Sequence, residues 1–130
     1  MATITEDYVS FETAKLLKEK GFDESTSMVY MSYGDLCKLN RYNSICNSDY
    51  NDITKNYFEY TAPTLQMAMK WLREVHNIDI FPWKIGKGIY SCAIFNSNTG
   101  QDLSSDKDFP SEKYEETVNA AIKYCLENLI

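Results

Sequence analysis

Proline and glycine are scarce in this chain, at three and five residues. Their scarcity excludes collagen-like, proline-rich and Gly/Ser-linker classes. Long apolar runs are missing too, so the sequence predicts no transmembrane helix. Histidine occurs once, at His76. Any Cys–His catalytic pair or histidine-containing metal site therefore has one imidazole to draw on. Positive charge is also short: 13 Lys and Arg stand against 19 Asp and Glu, for a net charge of −6. The most basic stretch, residues 61–95, reaches only +2. Nucleic-acid binding needs clustered Lys and Arg to displace counterions, so nucleic acid is not an expected partner. Anionic membrane surfaces are disfavoured for the same reason.

The first residues, MATITEDYVS, carry neither a basic nor an apolar signal-peptide region. Cytoplasmic localisation is the default expectation. There the four cysteines, Cys37, Cys46, Cys92 and Cys125, are expected as free thiols. The length of 130 residues suits one domain, and 44% hydrophobic residues is ordinary globular composition.

Three helices are legible. The first follows Ser10 as N-cap, with Glu12 in its first turn, and Lys18 and Lys20 in its last. Gly21 takes the position after the helix where φ is positive, and Phe22 folds back on the last turn. Phe11, Ala14 and Leu17 form its apolar stripe. The second spans residues 63–76, with Pro63 at its first position and Leu65, Ala68, Met69, Leu72 and Val75 facing the core. The third spans residues 112–129, with Val118, Ala121, Ile122, Cys125, Leu126 and Leu129 as its stripe.

Strand composition marks residues 28–33, a second run from Leu36 to about Asn40, and a short piece near Tyr57 to Tyr60. A Gly34-Asp35 turn joins the first two. Residues 40–56 are rich in Asn, Asp and Ser, which favour turns, and predict a long polar loop. Residues 78–85 and 89–95 predict a hairpin closed by Gly86-Lys87-Gly88. The fold expected is one α+β domain over residues 1–130, with three amphipathic helices packed on an antiparallel sheet of four to five short strands.

Motifs that would carry chemistry are absent or incomplete. Cys37 and Cys46 stand too far apart for a zinc knuckle, and Cys92 and Cys125 fall on core-facing positions. His76 lies at a helix C-terminus, where the dipole favours it as a capping residue. Asp102, Asp106 and Asp108 lack the glycine and terminal glutamate of a calcium loop. Gly86-Lys87-Gly88 precedes a strand, unlike a phosphate-binding loop. No catalytic residue, metal ligand or cofactor is assigned.

Aromatic residues are what the chain has in excess: 18, of which ten are Tyr. Such residues serve interfaces well, with an apolar body and a wet polar tip. Trp83, Lys84 and Tyr90 on the hairpin are the candidate interaction face. The competing reading has Trp83 in the core and Pro82 guarding a strand edge, and it is favoured because strand aromatics usually pack.

Tyr8 to Phe22 (YVSFETAKLLKEKGF), Ala62 to Glu74 (APTLQMAMKWLRE) and Tyr114 to Ile130 (YEETVNAAIKYCLENLI) resemble a family of short uncharacterised proteins found in prophages and mobile elements of gut bacteria. These segments cover 45 of 130 residues and coincide with the three helices. The resemblance implies a phage-like context and a bacterial cytoplasmic setting, and it carries no activity or site residue. The functional expectation is a non-catalytic accessory module that binds a protein or itself, as monomer or homodimer. An acidic anti-host or DNA-mimic protein is one alternative, and a small enzyme using Cys37 or Cys46 with His76 is another.

Overall fold

The computed structural model describes residues 6–33, 36–51, 59–104 and 107–130; of residues 32, 33, 36, 37, 43, 50 and 51 it describes the backbone alone. The fold is α+β, with three helices and, among the described residues, five strands that all pair antiparallel. The strands divide between two sheets, one in each of two compact units, Met1–Thr64 and Leu65–Ile130. The single sheet expected from the sequence is therefore two smaller ones. Strand pairing is a non-local choice that composition does not encode. Among the described residues no helix is long and apolar enough to cross a membrane.

The first unit begins with α1, Phe11–Glu19. Its termini follow the sequence signals. The Ser10 side chain accepts from the Thr13 backbone N–H at 3.3 Å. At the other end Gly21 adopts φ 94°. Its N–H donates to the Lys18 carbonyl, and the Phe22 N–H donates to the Leu17 carbonyl. This double bond pattern is a Schellman motif, and it delivers Phe22 into the core.

Strands β1 (Thr26–Tyr33), β2 (Leu36–Ile45) and β3 (Tyr60–Thr61) form a sheet in the order β2-β1-β3. The Gly34-Asp35 turn lies outside the described residues. β2 continues to Ile45, so the first part of the polar loop expected over 40–56 is strand, and Asn47–Asn51 form a 3-10 turn. Asn40 and Ser44 suit an edge strand with a wet face, and pairing with β1 overrides their turn preference. The remainder of that loop, residues 52–56, lies outside the described residues, as do Tyr57 and Phe58 of the short strand expected near Tyr57 to Tyr60. Val29 and Ile45 form a small core with Met31 and Tyr42 packed against it.

Tyr30 serves the other side of β1. Its hydroxyl donates to the Val9 carbonyl at 2.6 Å, and its ring meets Phe11 edge-on at 5.5 Å. Phe11 also contacts Tyr60, and the Lys18 ammonium lies 5.5 Å from the Tyr60 ring centre. Burial pulls Lys18 below its ordinary value, and Glu59 partly offsets that.

Thr61 is fully buried, and among the described residues its hydroxyl has no hydrogen-bond partner. Valine keeps the shape and removes the unpaired group. Thr61→Val is therefore expected to stabilise the chain by about 1 kcal/mol, read as a raised urea midpoint at constant slope. A lowered midpoint would show that the hydroxyl is satisfied.

The second unit contains α2 (Leu65–His76), β4 (Ile78–Gly86), β5 (Ile89–Asn96) and α3 (Tyr114–Asn128). α2 packs on β4, and α3 packs on both strands of the hairpin and on α2. Leu65, Ala68, Met69 and Leu72 are buried as their spacing predicts. Val75 is the exception at 53% exposed, and Trp71 is buried on that side of the helix. The larger indole gains more from leaving water than a valine in the last turn. Asn77 ends α2 in the left-handed conformation, φ 57°.

Candidate functional site

The hairpin has two unequal faces. Side chains alternate along a strand, and residues paired across strands share a face. On β4, Ile78 and Ile80 are buried, and so is Ile94, the cross-strand partner of Ile80. The intervening positions point the other way. Phe81 is 60% exposed, Trp83 48% and Ile85 42%, and Ile89 at the start of β5 is 39% exposed. Every residue from Trp83 through Ile89 is exposed. Trp83 is thus not a core residue, against the packing preference that favoured that reading. Within the second unit α2 and α3 pack on the hairpin, and Ile78, Ile80 and Ile94 are buried whereas Phe81 and Trp83 on the opposite face are exposed.

Register separates the three residues singled out from sequence. Lys84 pairs with Tyr90, whereas Trp83 pairs with Ser91. Lys84 and Tyr90 therefore share one face, and Trp83 lies on the opposite one with Phe81. Tyr90 is half-buried, bonds Ser111 through both its backbone N–H and its carbonyl, and meets the Tyr114 ring edge-on at 5.7 Å. The exposed face is better named by Phe81, Trp83 and Ile85. The period-two pattern of residues 79–85 was the signal for it, and sequence reasoning passed over Phe81 and Ile85.

The edges of the hairpin differ as well. Backbone groups of alternate residues point to opposite edges in an antiparallel pair. Tyr90, Ile94 and Asn96 all bond outward, to Ser111, Leu103 and Gln101. Gln101, Leu103 and Ser111 thus line the outer edge of β5, and the Phe109 N–H donates to the buried Ser91 hydroxyl. β4 has no strand on its outer edge among the described residues. Because Tyr90 bonds outward, its partner Lys84 and, two residues back, Pro82 also turn their backbones to the outer edge. The N–H that Pro82 lacks is missing from that open edge, where its absence breaks no bond within the hairpin. It also interrupts any ladder a further strand could build there.

The chemical alternatives assemble less. Cys46 is half-buried in the first unit, its thiol pushed up by burial and then by Asp23, Asp49 and Glu24. The Cys37 side chain lies outside the described residues. His76 belongs to the second unit, closes α2 and sits edge-on to Trp71 at 4.7 Å. Among the described residues its Nε2 is buried without a hydrogen-bond partner. Also among the described residues, no group of three or more His, Cys, Asp and Glu could hold a metal ion. Cys92 and Cys125 are buried, and burial pushes both thiols up, Cys125 to about 12. Such thiols are poor nucleophiles.

Comparison with family models, curated proteins and solved structures finds no match to this chain. The site is read from its own geometry.

Proposed function

We propose that this chain is a non-catalytic interaction module that docks on a protein partner through the outer face of the β4–β5 hairpin. One observation carries the reading: Phe81, Trp83 and Ile85 stand in water at alternate positions of a single strand. Scattered exposed apolar residues are ordinary, but a contiguous row headed by two aromatics is what interfaces use as anchors. The open edge of β4 does not serve as a template for an added strand, because Pro82 interrupts it. Docking is through side chains.

The test is site-specific photo-crosslinking in bacterial cells that express the chain. A benzophenone side chain at position 81 is expected to give a discrete protein adduct that Trp83→Ala abolishes. The same probe at position 75, exposed on α2, should give none. Adducts at position 81 that survive Trp83→Ala, or equal adducts at both positions, would contradict the reading.

A further inference from the structure

We draw no further inference here: the strongest candidate, the exposed apolar row Phe81, Trp83 and Ile85 on the outer face of the β4–β5 hairpin, belongs to the interaction face already proposed, and nothing in the structure shows what covers it.

Discussion

Replacing Asn47 by alanine is expected to destabilise the chain by about 2–4 kcal/mol, the sum of two buried backbone groups left unpaired. Asn47 opens the 3-10 turn and is 6% exposed. Its Nδ2 donates to the Phe22 carbonyl at 2.8 Å, and its Oδ1 accepts from the Thr61 N–H at 3.0 Å. One amide thus ties together the exit of α1, the end of β2 and the start of the chain's path into α2. Its neighbours hold the turn in place: Asp49 accepts from the Cys46 N–H and Asp23 from the Ser48 N–H. Those two bonds are more exposed and are worth less. Asn47→Asp is the sharper version. A carboxylate has the same shape but cannot donate to the Phe22 carbonyl. It should be as damaging as alanine at neutral pH. Urea unfolding of the three proteins measures this, and a loss below about 0.5 kcal/mol for both variants would show that water or another group satisfies those backbone atoms.

The second large effect is alkaline. The Cys125 thiol is fully buried, and burial, followed by repulsion from Cys92, pushes it up to about 12. In the unfolded chain a thiol ionises near pH 8.5. Between those values the unfolded chain releases the proton and the folded chain keeps it. Fewer protons are then bound when unfolded, so stability falls as pH rises, by about 1.4 kcal/mol per pH unit for one thiol. It is fully present below about pH 8.5, and about 2 kcal/mol is lost by pH 10 from this group alone. Cys92, raised by burial and partly lowered by its bond to Thr117, adds in the same direction. Cys125→Ala will begin from lower stability, because it leaves a cavity, but its stability should decline less steeply above pH 8.5. Equal alkaline slopes in the two proteins would show that the thiol is hydrated. Iodoacetamide should likewise leave Cys92 and Cys125 unmodified until the chain unfolds.

The helices were legible because their signals are local. Ser10, Gly21 and Phe22 act within a turn or two of one another, and the stripes of α2 and α3 state their buried faces directly. What was not legible depended on partners distant in sequence. Asn40 to Ile45 read as loop from composition, yet pairing with Thr26 to Val29 makes them strand. The hairpin was legible as a hairpin. Which of its faces the helices cover was not, because strand residues on either face have similar composition. Trp83, Lys84 and Tyr90 could therefore be singled out as chemically apt without their register being seen. Val75 and Trp71 make the same point on a helix: the stripe allowed either to be buried, and the hairpin beneath α2 decided.

The account turns on Trp83 standing in water on the free chain. Trp71, the other indole, is buried, so Trp71→Phe leaves Trp83 as the sole reporter. The decisive measurement is acrylamide quenching of that variant's fluorescence at low micromolar concentration. The account predicts red-shifted emission, quenched readily and lost from the spectrum on Trp83→Phe. Blue-shifted emission that acrylamide barely reaches would place Trp83 inside the fold and contradict the interaction face.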